Sequence, residues 1–90
     1  MFYTYVLECF AKGKLSMFYV GSTADLRGRI ASHRLKEVPS TKRYDKLKLV
    51  YYEACLCKAD SIRREGQLKT GFGRGFIKRR LEVYLKNMRD

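Results

Sequence analysis

Tyr19-Val20-Gly21-Ser22-Thr23-Ala24-Asp25-Leu26-Arg27-Gly28-Arg29-Ile30-Ala31-Ser32-His33 holds the end of one element and the beginning of another. Met17 to Gly21 is short, apolar and aromatic, and it stops at a glycine, as a strand does when it runs into a turn. Ser22 or Thr23 can cap a following helix, with Asp25 in the first turn, where a negative charge meets the positive end of the helix dipole. The helix is expected to reach His33 or Leu35. Leu26 and Ile30 lie four apart and form its buried stripe, while Arg29 and His33, also four apart, share a neighbouring face.

Upstream, Phe2 to Phe10 alternates and is rich in Tyr, Val and Phe, which reads as a first strand. Ala11 to Ser16, with Gly13 between two lysines, reads as the turn of a hairpin. If opposed positions in that hairpin sum to an even number, Tyr5 and Tyr19 fall on one face, because side chains alternate with period two. Downstream, Arg34 to Lys46 is a basic loop holding the only proline, Pro39. Lys46 to Ala54 alternates again and predicts a third strand, with Leu47, Leu49 and Tyr51 on one side. Lys58 to Lys69 predicts a second helix, capped by Asp60 or Ser61, with Ala59 and Ile62 inward and Glu65 close by on that face. The glycines of Thr70 to Gly75 are expected to break the chain. A last helix from about Arg74 to Asn87 puts Phe76 or Ile77, Leu81 and Tyr84 at core spacing. The order β-β-α-β-α-α describes an α+β fold: a three-stranded antiparallel sheet with helices packed on it.

Ninety residues suit one domain over 1–90, since a chain this short buries only roughly 60 to 65% of its unfolded surface around a single core. Hydrophobic residues at 46% exclude a disordered basic tail. The charge is lopsided: 20 Lys and Arg against 9 Asp and Glu give +11, a field that gathers polyanions and makes nucleic acid the leading partner. The N-terminal residues carry no secretory pattern, and nowhere do about eighteen apolar residues run together, so neither export nor a membrane span is expected. Cys9, Cys55 and Cys57 form an odd set without paired CxxC spacing, which fits a reducing cytoplasm and speaks against structural zinc.

Taken together, Thr4-Tyr5-Val6, Tyr19-Val20-Gly21, Arg29, His33 and Arg64-Glu65 resemble the GIY-YIG nuclease family. Tyr-Val-Gly matches the second signature element. Arg29 lies eight residues beyond its glycine, where the family places its arginine, and His33 stands four further on, where members carry His or Tyr. Thr4-Tyr5-Val6 is a degenerate first element, with Thr for the usual glycine and its tyrosine one place early. The resemblance spans residues 3 to 85, and the chain is most similar to small stand-alone members related to the excision-repair incision subunit. It implies an endonuclease that hydrolyses DNA phosphodiesters with Mg²⁺ or Mn²⁺, using Tyr5, Tyr19, Arg29, His33 and Glu65.

These residue types suit that chemistry. Hydrolysis needs an activated water, a counter-charge for the transition state and help for the leaving oxygen. The Arg29 guanidinium forks onto two phosphate oxygens and stays charged at any working pH. Glu65 is the proposed metal ligand, because magnesium is commonly held by one or two carboxylates with water and phosphate in the remaining positions. The chain's acids are scattered rather than clustered, which favours one metal over two. Either Tyr19 or His33 can serve as the base: a free phenol with pKa near 10 needs a nearby cation, whereas a free imidazole titrates near 6.5.

Arg27, Arg34, Lys36, Lys42 and Arg43, and towards the C-terminus Arg74, Lys78, Arg79 and Arg80, are candidate phosphate contacts. About six such contacts would lower affinity roughly a thousandfold between 50 and 200 mM salt. Phe72 and Phe76 between glycines and Arg74 offer stacking surfaces, although helix termination and core packing explain them as well. Tyr3, Tyr51 and Tyr52 read as cross-strand and core packing. A monomer or weak dimer with no obligate protein partner is expected. The competing readings are a non-catalytic basic nucleic-acid-binding module and a basic structural protein of a ribonucleoprotein. The first is disfavoured by Glu65, which repels phosphate in the absence of a metal, and the second predicts tight RNA association with no dependence on Glu65.

Overall fold

The computed structural model describes residues 1–88. Its elements are β1 (Phe2–Ala11), β2 (Lys14–Thr23), α1 (Leu26–Arg34), β3 (Lys46–Cys55), α2 (Lys58–Leu68), α3 (Gly71–Arg80) and α4 (Glu82–Met88). The strands form an antiparallel sheet in the order β2-β1-β3. The expected α+β architecture is present, with four helices among the described residues where three were predicted.

Because β1 lies in the middle, both of its faces are covered. Tyr5, Leu7 and Cys9 point to one core together with Ile30 of α1 and Tyr44 of the loop after it. Val6 points to a second core with Val20, Leu68 of α2 and Ile77 of α3. Thr4 and Glu8, buried on that second face, are held by hydrogen bonds: Thr4 Oγ1 donates to the Ser61 carbonyl at 2.9 Å, and the Tyr84 hydroxyl donates to Glu8 Oε1 at 2.5 Å. A buried polar group without such a partner costs about 1 to 3 kcal/mol, which is why both side chains reach a neighbour from another element.

The hairpin register pairs Leu7 with Tyr19 and Tyr5 with Gly21, so opposed positions sum to an even number and both tyrosines share the α1 face. The strands are longer than predicted, because the turn needs only Lys12 and Gly13, whose positive φ angles of 54° and 78° suit a tight hairpin. On the other side, the register between β1 and β3 slips between Val6 and Leu7. This bulge breaks the period-two reading of β3: Leu47 and Leu49 join the α1-side core, but Tyr51 turns to the opposite face with Val50.

The helices depart from expectation at their ends. Asp25, rather than Ser22 or Thr23, caps α1, its carboxylate accepting from the Gly28 amide at 3.0 Å. Cys57 occupies the cap of α2 without a side-chain bond, so neither Asp60 nor Ser61 caps it. Its inward residues are Ser61 and Leu68, while Ala59 is exposed and Ile62 is 52% exposed. The glycines after Thr70 do not break the chain but open α3, whose continuation towards Asn87 is interrupted at Leu81. Gly73 is buried there against the end of α2, and a Cβ would collide with the Leu68 backbone. Packing against another helix outweighs the roughly 1 kcal/mol by which glycine weakens a helix.

Candidate active site

The predicted polar residues gather where β1, β2 and α1 meet. Tyr5 is fully buried, and its ring leans across the sheet over Gly21 of the neighbouring strand; a Cβ at that position would lie 2.5 Å from the Tyr5 hydroxyl oxygen. The missing side chain is therefore a spatial requirement of the Tyr5 hydroxyl. Arg29 Nε donates to the same oxygen at 3.4 Å, and His33 Nε2 lies 2.8 Å from it. His33 Nδ1 in turn lies 2.7 Å from the hydroxyl of Thr41, a fully buried residue in the loop between α1 and β3. With Arg29 donating to Tyr5, one consistent proton arrangement runs from the Tyr5 hydroxyl to Nε2 and from Nδ1–H to Thr41.

This setting decides the protonation of His33. It is 1% exposed, and burial together with the charge of Arg29 pushes its pKa down to about 4. The free-imidazole value assumed from sequence is thereby corrected: His33 is neutral near pH 7 and a poor proton acceptor. Tyr5 moves the other way, its pKa raised chiefly by burial against the opposing Arg29 hydrogen bond, so it remains a neutral phenol. Tyr19 is half-buried, and its ring meets the His33 ring edge-on at 5.1 Å. Of the three ring residues, it is the one with access to solvent.

Glu65 arrives from the other face. Ser22, next to Gly21 on β2, donates to Glu65 Oε1 at 2.7 Å, and Lys69 Nζ meets Oε2 at 2.5 Å. Burial raises the carboxyl pKa, but hydrogen bonds from Lys69 and Ser22 and the charges of Lys69 and Arg29 outweigh it, leaving Glu65 ionised below the usual range. Glu65 and Lys69 thus form the i, i+4 pair of an ordinary surface helix. It does not exclude the ligand reading, because Lys69 is half exposed and can swing away. Arg29 and Glu65 stand on helices from opposite faces of the sheet, but they reach consecutive residues of β2: Gly21 lies beneath Tyr5, whose hydroxyl accepts from Arg29, and Ser22 donates to Glu65. They converge around the end of this edge strand.

No group of three or more His, Cys, Asp or Glu side chains suited to a metal exists among the described residues. The donor set available is one ionised carboxylate backed by a serine. That set fits magnesium, which tolerates a single protein carboxylate when water and phosphate oxygens complete its shell.

The candidate DNA contacts divide. Arg74 shares a cleft along β2 with Tyr19 and Lys69, beside the site. Arg27 and Arg34 line a groove on the other side of α1. Lys42, Arg43 and Arg79 are exposed, and Arg43 also stacks over Tyr44 and donates to its hydroxyl at 2.8 Å. Lys36 is committed to the loop, its ammonium donating to the Tyr44 carbonyl at 2.7 Å. Lys78 belongs to a separate cleft with Phe10, Phe18 and Leu85. Phe76 packs against Tyr51 and beneath Arg64, with Phe72 stacked on it at 6.2 Å, which favours packing over base recognition for Phe76.

The GIY-YIG catalytic domain family model matches residues 1–79. The chain belongs to this family. Its nuclease chemistry gives the cluster around Gly21 a context that geometry alone does not. A UPF0213 protein of Staphylococcus haemolyticus is 35% identical over 69 residues, covering 76% of this chain and 79% of the relative. No solved structure matches the chain significantly. No described helix is long and apolar enough to cross a membrane.

Sequence reasoning missed the two residues that hold the GIY-YIG side chains in place. Ser22 reads locally as a helix cap, yet it holds Glu65 from 43 positions away. Thr41 lies in a loop with no periodicity, so nothing in its neighbourhood announces that it orients His33.

Proposed function

We propose that this protein is a divalent-metal-dependent endonuclease that hydrolyses phosphodiester bonds of DNA. The observation that carries the reading is the convergence of Arg29, Tyr5, His33 and Tyr19 with the Ser22–Glu65 pair around the end of β2. Arg29 binds the scissile phosphate through the guanidinium nitrogens left free by Tyr5, and its charge opposes the negative charge that grows in the transition state. Tyr5 and His33 are positioning residues: both are sealed from solvent, and together with Thr41 they fix where Arg29 and Tyr19 stand. Tyr19, half-buried and open to solvent beside Arg29, is the group placed to orient the attacking water, and as the phenolate, its own proton given up to solvent, it would accept the water's proton. Glu65 would hold Mg²⁺ or Mn²⁺ once Lys69 withdraws. When bound, the ion supplies Lewis acidity to a phosphate oxygen and lowers the pKa of its water.

Purified protein incubated with plasmid and with single-stranded oligonucleotides in Mg²⁺ should cut at least one of them, and chelator should stop the cut. Loss of one oxyanion-directed donor costs about a hundredfold to a thousandfold in rate, so Arg29→Ala should fall at least that far. Glu65→Ala should do likewise. Undiminished cleavage by either variant dismisses the assignment.

A further inference from the structure

Arg27, Ile30 and Arg34 recur on the side of α1 turned away from Arg29, and they face a groove that the reaction as described does not use. Its floor is aromatic and aliphatic: Tyr3 of β1, Tyr52 and Leu49 of β3, and Ile30. Tyr52 was expected to be cross-strand packing, but it is 52% exposed and touches Tyr3 only edge-on, at 5.9 Å and 64°. Among the described residues, neither Arg27 nor Arg34 is in an ion pair. The groove measures about 490 Å³.

We infer that this groove binds an unpaired nucleobase of the DNA strand being cut, stacked on Tyr52, with its flanking phosphate held by Arg27 and Arg34. The inference rests on the nuclease reading above. Three observations select this occupant. First, Tyr52 pairs directly with Tyr5 across the sheet, and Tyr5 pairs with Gly21. Neighbouring strands lie about 4.8 Å apart, so the stacking surface is one strand spacing from the Tyr5 backbone and two, about 10 Å, from Gly21, over which the Tyr5 hydroxyl meets Arg29. Second, the lining is divided, with cations at the rim and uncharged rings and aliphatic side chains beneath. Third, the one acid of the lining, exposed Asp25, is already committed to the α1 cap, where it accepts from the Gly28 amide, which leaves Arg27 and Arg34 to set the sign of the rim. A base within a duplex has both faces already stacked and cannot lie on Tyr52, so the groove accepts only an unpaired position.

The test is binding without turnover. Anisotropy of an end-labelled twelve-nucleotide DNA strand is measured in chelator with wild type, Tyr52→Ala and Tyr52→Phe. Loss of one stacked base is worth about 1 to 3 kcal/mol, so Tyr52→Ala should weaken binding roughly 5- to 150-fold and Tyr52→Phe should restore it. A single abasic site walked along the strand should weaken wild type at a subset of positions and leave Tyr52→Ala unaffected there. Arg27→Ala should lower the salt slope by about one phosphate. Equal affinity of wild type and Tyr52→Ala, or a Tyr52→Phe as weak as alanine, overturns the inference. Because no cleavage is measured, failure of the stacking site is distinguishable from failure of the nuclease reading. Tyr52 is half exposed, and circular dichroism of each variant separates lost stacking from lost fold.

Discussion

Acidification should destabilise this protein through one buried ring. His33 is enclosed by Tyr5, Tyr19 and Thr41 beside Arg29, and its pKa is about 4 in the folded state. In the unfolded chain it returns to about 6.5. Above that value both states hold it neutral, and no proton is exchanged on unfolding. Between about 6.5 and 4 the unfolded chain binds a proton that the folded state refuses, so stability falls as pH falls through this window. Each pKa unit corresponds to about 1.4 kcal/mol, giving a loss of about 2 kcal/mol by pH 5 and about 3 kcal/mol once pH drops below 4. Glu53 and Glu65 have depressed pKa values and contribute stability that is lost only below the ordinary carboxylate range, beneath most of the His33 window. Urea unfolding at pH 7, 6 and 5 should show the decline, and His33→Gln, less stable at pH 7, should lack it. Ring-proton NMR reads the same group directly. A His33 resonance titrating between pH 6 and 7, or a His33→Gln variant that declines in parallel with wild type, refutes the reasoning.

Further consequences concern the site and the surface. Gly21→Ala should displace the Tyr5 hydroxyl, lower stability by about 1 to 3 kcal/mol and reduce cleavage, both measurable on one preparation. Tyr5→Phe leaves His33 Nε2 and Arg29 Nε without their common partner and should lose about 1 to 2 kcal/mol in urea unfolding, with cleavage reduced but not abolished. Ser22→Ala should shift the metal concentration needed for half-maximal cleavage upward by about tenfold, since a partner that orients a ligand is commonly worth that much. Cys9, whose thiol burial pushes up to about 11, should resist a thiol reagent under native conditions, while exposed Cys57 reacts.

The readable part of this protein was the part controlled by neighbours along the chain. Alternation in Phe2–Phe10 and Lys46–Ala54 located the strands, Tyr19-Val20-Gly21 fell within a strand that runs on past its glycine to Thr23, and the four-residue spacing of Arg29 and His33 put them on one side of a helix. The even hairpin sum correctly placed Tyr5 and Tyr19 on a common face. Motif spacing also brought the family into view, because several separations had to match at once. Composition supplied the sign of the surface field but not its layout.

Tertiary packing decided the rest. The bulge opposite Val6 and Leu7 sends Tyr51 to the second core, and no property of β3 alone reveals a register slip imposed by its partner. Gly71, Gly73 and Gly75 look like a break, yet Gly73 is what allows α3 to lie against the end of α2. A histidine of ordinary sequence context becomes a neutral, buried link between Tyr5 and Thr41, because pKa follows desolvation and nearby charge. The pairing of Ser22 with Glu65, and the groove that Tyr3, Leu49 and Tyr52 form with Arg27 and Arg34, depend on which surfaces the sheet brings together. Local sequence sets dihedral preference and periodicity; the environment of a side chain is set by distant residues, and only the folded chain supplies them.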